Sequence, residues 1–97
     1  MIRNFKDKVT EAVFRGRRPK GFPADLFAVT RRKLLSIHFA SDLTDLRSPP
    51  ANRLEALTKD RQDQRSIRVN DQFRICFRWT SAGPEDVELS TTIERRT

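Results

Sequence analysis

The chain has 97 residues, enough for one compact domain around one hydrophobic core. Twenty Lys and Arg against thirteen Asp and Glu give a formal net charge of +7, and such an excess attracts polyanions: nucleic acid, an acidic protein or anionic lipid. No apolar run approaches membrane-spanning length, and the single cysteine, Cys76, excludes an internal disulfide and fits a reducing compartment. We therefore expect a cytoplasmic protein with no membrane segment and no signal peptide.

The first half of the chain carries helical spacing of its apolar residues. Residues 1–5 alternate and predict a short edge strand, and residues 7–15 predict a first helix, which Gly16 and the basic run after it end. Residues 23–40 predict a longer second helix. Its apolar stripe has four members, Leu26, Val29, Leu34 and Ile37. Lys33 lies inside this stripe, so its stem is expected to cover apolar surface while its ammonium group reaches solvent.

The second half changes to the spacing of strands. Residues 41–46 predict a short helical turn, and residues 58–64 a charged loop. Strands are predicted over residues 53–57, 66–69, 73–79 and 87–89. Two helices followed by antiparallel strands predict an α+β domain spanning residues 1–97, with both helices on one face of a three- to five-stranded sheet.

The strand over residues 73–79 separates two kinds of side chain. Alternation places Phe73, Ile75, Phe77 and Trp79 on the face that packs against the helices, and Arg74, Cys76 and Arg78 on the other face. If the neighbouring strand turns Ile67 and Val69 inward, Arg68 joins the two arginines. Arginine suits phosphate because its planar group makes two parallel hydrogen bonds and keeps its charge. The pattern fits equally well with arginines that are merely solvated on an open sheet face.

Other chemically active residues fit structural roles better. His38 lies on a helix flank among apolar neighbours, which favours packing over catalysis. Cys76 has no second histidine to activate it and is interpreted as a small strand residue. The sequence has no Cys/His cluster that suits a metal, no Gly-rich phosphate loop and no nucleophile elbow, so no metal and no cofactor are expected.

One long stretch is familiar as a family pattern. The sequence reads PPANRLEAL at residues 49–57, DR at 60–61, Gln64, and SIRVNDQFRICFRW at 66–79. It resembles HigB-type toxins, the plasmid-maintenance killer proteins of the RelE/ParE superfamily, and residues 1–8 resemble the opening of that family.

The resemblance implies a RelE-like fold and a ribosome-dependent endoribonuclease that cuts mRNA without a metal, using the 2′-hydroxyl of the RNA as nucleophile. It also implies inhibition by a HigA-type helix-turn-helix antitoxin, through which alone the toxin would reach operator DNA. Arg74 matches the arginine of the aromatic-Arg-Ile motif and is the predicted catalytic residue. The predicted RNA contacts are Arg68, Arg78, Arg61, Lys59 and Asn70.

The chain departs from the family pattern at several positions. Lys59, Asp63 and Ala51 stand where glycine is common, which would alter loop geometry if a positive φ is needed there. Glu55 and Thr58 stand where some members carry His or Lys. In addition, Asn70 replaces an arginine of some members.

The C-terminus departs most. Family members commonly end in Val-Asp-Tyr-His, whereas this chain continues from Ser90 as Ser-Thr-Thr-Ile-Glu-Arg-Arg-Thr. Residues 90–94 can be encoded TCG-ACT-ACC-ATT-GAA, and the frame one base earlier, borrowing a G, reads GTC-GAC-TAC-CAT-TGA, which is Val-Asp-Tyr-His-stop. We therefore hypothesise that residues 90–97 are a frameshifted tail. The lost Tyr-His pair would serve proton transfer, so the toxin would be attenuated.

Two other classes of function compete with the nuclease. One is a non-enzymatic module of the same fold, either a ParE-like inhibitor of a protein target or a remnant that only binds antitoxin. The other is a generic basic RNA-binding domain. Exposed aromatic residues would favour the latter, but the Phe residues here lie at core periodicities and offer no evident stacking platform.

Overall fold

The computed structural model describes residues 1–56 and 64–91; residues 57–63 and 92–97 lie outside this description. Within the described ranges it has α1 (Lys8–Phe14), α2 (Ala24–Phe39), 3-10 helices at Leu43–Arg47 and Pro50–Asn52, and strands β1 (Glu55–Ala56), β2 (Gln64–Arg68), β3 (Phe73–Thr80) and β4 (Gly83–Thr91). None of the helices in these ranges is long and apolar enough to cross a bilayer.

The sheet is an antiparallel meander in the order β1-β2-β3-β4. A turn at Asn70 joins β2 to β3, and their register places Ile67 opposite Ile75 and Arg68 opposite Arg74. Because side chains alternate along a strand, this register gives the hairpin one apolar and one polar face. The predicted α+β fold is confirmed.

Both helices pack on the apolar face of the sheet. Asp7 caps α1, since its carboxylate accepts a hydrogen bond of 2.9 Å from the Thr10 amide and so satisfies one of the unpaired donors of the first turn. The core combines residues from both layers, and its members are Val13, Leu26, Leu34, Ile37, Leu46, Ile67, Val69, Ile75, Phe77 and Val87.

The N-terminal residues lie alongside β4 without forming the predicted strand. Phe5 makes a single parallel bridge with Val87, and the Arg3 amide donates to the Pro84 carbonyl at 2.7 Å. Close approach is possible because Gly83 has a φ of +124°; a Cβ there would lie 2.4 Å from the backbone oxygen of Met1. The short edge strand expected here is reduced to this one bridge, because the chain turns into the cap of α1 directly after it.

The region before the sheet also differs from expectation. Strand structure was predicted from residue 53, but in the described part β1 comprises only Glu55 and Ala56. Arg53 instead ends the second 3-10 helix in the left-handed region, with φ at +47°. That conformation breaks the extended backbone that a strand requires.

Lys33 joins α2 to this irregular segment. Its ammonium group donates to the side-chain oxygen of Asn52, which is buried, and the Asn52 amide donates to the carbonyl of Leu46 at 3.1 Å. The predicted solvent-directed lysine is therefore a half-buried link between the helix and the 3-10 segment.

Candidate functional site

Arg74 is the second residue of β3 and lies on the face away from the helices, as the alternation predicted. It is nevertheless only 8% exposed, so the reading of a solvated arginine does not hold for it. Its Nε donates to the Ser66 hydroxyl at 2.9 Å, and one terminal nitrogen lies 3.1 Å from both the Arg53 carbonyl and a Glu55 carboxylate oxygen. The guanidinium is therefore held in place by three groups, one from β2 and two from the segment at residues 53–55.

These partners differ in how easily a ligand could replace them. Ser66 is fully buried, and the Arg53 carbonyl belongs to the backbone, so both are fixed. The Glu55 side chain is 54% exposed, although the Arg74 side chain that it contacts is only 9% exposed. A phosphate that took the place of Glu55 would also supply the negative charge that the buried guanidinium needs, while the other two groups keep the guanidinium oriented.

Arg68 lies directly opposite Arg74 in the antiparallel ladder. Like charges in this position repel each other, and each arginine is offset by a carboxylate, Glu55 for Arg74 and Asp71 for Arg68. The Asp71 side chain is 93% exposed, so this partner is replaceable as well. The structure thus brings two of the predicted site residues together as a pair.

Lys33 adds positive charge near Arg68, a contribution that the sequence interpretation did not assign to the site. Burial lowers the pKa of Lys33, and the positive charges of Arg32 and Arg68 lower it further. The helical layer and the sheet layer therefore supply cations to the same region. The sequence offered only one indication of this, a lysine inside an otherwise apolar stripe.

Arg78 lies apart from the pair. It is four residues beyond Arg74 on β3, roughly 13 Å along the strand. One terminal nitrogen contacts Glu85 at 2.6 Å, and its Nε lies 3.9 Å from Asp86. Two carboxylates of β4 therefore neutralise Arg78 within the chain, and its RNA contact remains a prediction.

Asn70 has a clear structural role. Its side-chain oxygen accepts hydrogen bonds of 2.8 Å from the amides of both Gln72 and Phe73, which closes the turn between β2 and β3. Because the turn sets the register, Asn70 is what places Arg68 opposite Arg74. A direct contact of Asn70 with RNA stays a prediction.

Several predicted features lie outside the described residues. They include Lys59, Arg61 and most of the unusual tail, residues 92–97. The first tail residues are described: Ser90 belongs to β4 and pairs with Arg74. The segment that the sequence analysis predicts to be an atypical tail thus begins opposite the predicted catalytic arginine. Over residues 1–56 and 64–91 no group of three or more His, Cys, Asp or Glu could hold a metal ion.

Sequence reasoning missed the groups that hold Arg74. The contact with Ser66 could have been predicted from the sequence, because period-two alternation places Ser66 on the same face as Arg68. Glu55 was noted only as a departure from the family pattern. The Arg53 carbonyl could not be found, since it depends on one left-handed residue 21 positions before Arg74.

Comparison with known proteins identifies the family of this chain. Residues 3–90 match the family model described as the RelE-like toxin of type II toxin-antitoxin system HigB. The chain is 35% identical over 95 residues to Toxin HigB-1 of Vibrio cholerae, a match that covers 97% of this chain and 96% of that protein. It is also 44% identical over 57 residues to an uncharacterized protein of Haemophilus influenzae, a match covering 59% of this chain and 56% of the relative. The chain therefore belongs to the HigB-like family of RelE-like toxins of type II toxin-antitoxin systems.

Proposed function

We propose that this toxin is a metal-independent endoribonuclease that cuts mRNA on the ribosome and is neutralised by a HigA-type helix-turn-helix antitoxin. The observation that supports it best is the oriented guanidinium of Arg74, held by Ser66 and the Arg53 carbonyl beside a replaceable carboxylate. Membership of the family implies an antitoxin partner. Operator DNA would be reached only through that antitoxin, and the protein would act in the cytoplasm.

In the proposed reaction the 2′-oxygen of a ribose attacks the adjacent phosphorus. The bond from phosphorus to the 5′-oxygen of the next nucleotide breaks, leaving a 2′,3′-cyclic phosphate and a 5′-hydroxyl. Negative charge grows on the phosphoryl oxygens in the transition state, and Arg74 would stabilise it. Arg68 would hold the same or the neighbouring phosphate.

Proton transfer is the step in which this chain would be weak. The 2′-hydroxyl must lose a proton and the leaving oxygen must gain one, and we assign that work to the Tyr-His ending that the chain lacks. The pairing of Ser90 with Arg74 supports this assignment, because a changed ending starts beside the proposed catalytic residue. The activity would therefore be reduced rather than absent, since charge stabilisation by Arg74 remains.

The test uses the full chain with translating ribosomes, and cleavage is measured by mapping mRNA ends. Arg74→Ala should lower the cleavage rate by about 10²–10³, the usual cost of losing an oriented charge-stabilising donor. Arg47→Ala is the control, because it removes an exposed arginine from a 3-10 helix remote in sequence from β3. Equal cleavage by the parent and Arg74→Ala would refute the proposal.

A second candidate is a non-enzymatic module that only binds antitoxin. The carboxylate partners of Arg74, Arg68 and Arg78 favour it, because they neutralise the sheet arginines within the chain. The same assay separates the two. Parent protein that binds antitoxin but produces no mRNA ends above background, at any protein concentration, would support the module.

A further inference from the structure

The segment that holds Arg74 contains a residue in a strained conformation. Arg53 has a φ of +47°, in the left-handed region that residues other than glycine rarely adopt, and its carbonyl accepts from the Arg74 guanidinium at 3.1 Å. Such conformations persist only where the surrounding structure fixes them, and they cluster at functional sites. Whatever fixes Arg53 therefore also sets the position of a group that orients Arg74.

Strand pairing gives Arg53 little of this support. In the described part of the chain β1 comprises only Glu55 and Ala56, and both residues are exposed. They pair with two residues of β2. A strand of this length contributes few hydrogen bonds to the ladder. Among the described residues, the stronger support for Arg53 comes from the residues that precede it.

Asn52 supplies that support. It is 1% exposed and comes directly before Arg53 in the chain. Its side-chain amide donates to the Leu46 carbonyl at 3.1 Å and to the Ser48 carbonyl at 3.4 Å, and its backbone amide donates to the Pro49 carbonyl at 2.9 Å. Leu46 belongs to the core, so these bonds tie the residue before Arg53 to the packed interior.

The side-chain oxygen of Asn52 accepts from the ammonium group of Lys33 on α2. Lys33 is followed by the fully buried Leu34, so the lysine projects from a part of the helix that is fixed in the core. Burying an ammonium group costs free energy, and burial lowers the pKa of Lys33. Within residues 1–56 and 64–91 no carboxylate lies within ion-pair distance of Lys33, so in this part of the chain the hydrogen bond to Asn52 is what opposes the cost.

We propose that Lys33 and Asn52 are positioning residues for Arg74. The Lys33 ammonium holds the side chain of Asn52. Asn52 in turn fixes the left-handed Arg53, whose carbonyl orients the guanidinium of Arg74. The consequence for mRNA cleavage rests on the proposed function, whereas the link from Lys33 to Arg74 rests on these contacts alone.

The link matters most when a phosphate is bound. A guanidinium stabilises developing charge only if its N–H groups point at the phosphoryl oxygens, and small displacements of a catalytic group lower the rate greatly. Ser66 holds the Nε of Arg74, whereas the Arg53 carbonyl and Glu55 contact a terminal nitrogen. Once a phosphate takes the place of Glu55, the Arg53 carbonyl still holds that nitrogen. A loosened link therefore affects kcat and not KM.

The first test observes Arg74 directly and does not depend on cleavage. The full chain is labelled with nitrogen-15, and the Nε–H signal of Arg74 is identified by its absence in Arg74→Lys. Lys33→Met should increase the hydrogen-exchange rate of this group by about 10-fold, because a loosened guanidinium opens its bond to Ser66 more often. An unchanged rate would overturn the inference. So would parent exchange as fast as that of free arginine, because the guanidinium would then not be held.

Three further variants serve as controls for this measurement. Arg32→Met removes the same charge from the exposed neighbour on α2 and should leave the exchange rate unchanged. Lys33→Arg keeps a charged donor and should restore most of the slow exchange. Thermal unfolding checks that each protein is folded, and Lys33→Gln replaces Lys33→Met if the latter is not. Equal effects of Arg32→Met and Lys33→Met would overturn the inference, because the change would then follow from charge alone.

The second test measures mRNA cleavage on translating ribosomes, with kcat and KM determined separately. Lys33→Met should lower kcat by about 10-fold, within the roughly 10²-fold cost of misplacing a reacting group by 1 Å, and leave KM near the parent value. In the Arg74→Ala background the same substitution should have no further effect, because it acts through Arg74. A raised KM with unchanged kcat would overturn the inference, since Lys33 would then contact RNA itself.

Failure of the inference is distinct from failure of the proposed function. If Lys33→Met speeds the exchange at Arg74 but Arg74→Ala cleaves like its parent, the link stands and the proposed function fails. If Arg74→Ala lowers cleavage while Lys33→Met changes neither the exchange rate nor kcat, only the positioning role is refuted.

Discussion

The helical layer and the sheet layer of this toxin treat positive charge in opposite ways. In the helical layer, exposed cations such as Arg17 and Arg18 lie without carboxylate partners from the described residues. In the sheet layer, Arg74 contacts Glu55 and Arg78 contacts Glu85. The sequence contains equal numbers of cations in residues 1–40 and 41–97, so the difference lies in the acids placed beside them.

The comparison shows that a cation needs one environment to attract a polyanion from a distance and another to stabilise charge in a reaction. Long-range attraction of a polyanion requires exposed charge that the protein does not cancel. A charge-stabilising group must instead be held in one orientation, and burying a guanidinium is costly unless it is paired and hydrogen bonded. The buried Arg74 has such partners in Ser66 and Glu55, whereas the exposed Arg17 and Arg18 need none.

The largest expected effect is on mRNA cleavage, and it tests whether the end of β4 in the sheet layer lacks a catalytic group. A restored tail carries Ser90→Val, Thr91→Asp, Thr92→Tyr and Ile93→His, with the chain ended at residue 93. Cleavage of mRNA should rise by roughly 10²–10⁴, the usual worth of a positioned acid–base group. The measurement is the mRNA cleavage rate on translating ribosomes, with growth arrest in cells as a second reading.

Two results would count against the tail hypothesis. A restored chain no more active than its parent would mean that the Tyr-His pair is not catalytic. Codons for residues 90–94 that cannot be reframed to Val-Asp-Tyr-His would end the frameshift origin. A version with only Tyr and His changed to Phe and Gln in the restored tail is the matched control, since it keeps the chain length.

The second prediction concerns Asn52, which connects the two layers. Asn52→Ala should lower the free energy of unfolding by about 1–3 kcal/mol, because the buried Leu46 carbonyl and the half-buried Lys33 ammonium lose their partner. Lys33→Met keeps the apolar stem and should cost less. Chemical denaturation measures both, and a larger loss for Lys33→Met would show that the lysine, not the asparagine, is the key member of the link.

The third prediction tests the replaceable partner of Arg74. Glu55→Gln removes the competing negative charge, and RNA affinity in the tail-restored chain should rise, because a phosphate then no longer has to displace a carboxylate from Arg74. Glu11→Gln is the control in the helical layer, where it frees Arg15 instead. A fall in cleavage with Glu55→Gln would mean that this carboxylate takes part in the reaction, and the description of a displaceable counter-ion would be wrong.

The smallest effect is a pH dependence in the helical layer. The Ile2 amide donates to Nδ1 of His38 at 3.2 Å, and burial, followed by the positive charge of the N-terminus, lowers the pKa of His38. The folded state therefore binds this proton less readily than the unfolded state. The contribution of neutral His38 to the free energy of unfolding is complete above the ordinary His pKa of about 6.5. It is lost as the pH falls from there through the lowered pKa of the folded state.

The measurement is the thermal unfolding midpoint between pH 7.5 and pH 5. His38→Gln offers an uncharged acceptor in place of the ring nitrogen, so its midpoint should fall less than that of the parent over this range. Identical pH profiles for the two proteins would show that His38 does not couple to folding. A difference between the two profiles would show that the helical layer contains one group whose charge changes in this pH range, the His38 ring that accepts from the Ile2 amide.

The local sequence pattern was enough to predict much of the fold and the pairing of Arg68 with Arg74. The apolar spacing of residues 23–40 predicted α2, and the alternation in residues 73–79 predicted which side of the sheet Arg74 faces. The turn at Asn70 with strands on both sides predicted a hairpin, and the hairpin register places Arg68 opposite Arg74. These features follow from sequence because they depend on neighbours a few residues apart.

The tertiary structure alone decided what those side chains meet. The guanidinium of the buried Arg74 donates to the carbonyl of Arg53, a left-handed residue 21 positions earlier in the chain. Lys33 is a link and not a solvent-directed charge because Asn52 packs against α2. Contacts of this kind join segments distant in sequence, and packing of the whole core sets their distances. Local propensity predicts which face of an element a side chain occupies, but it does not predict which group from a distant part of the sequence contacts that side chain.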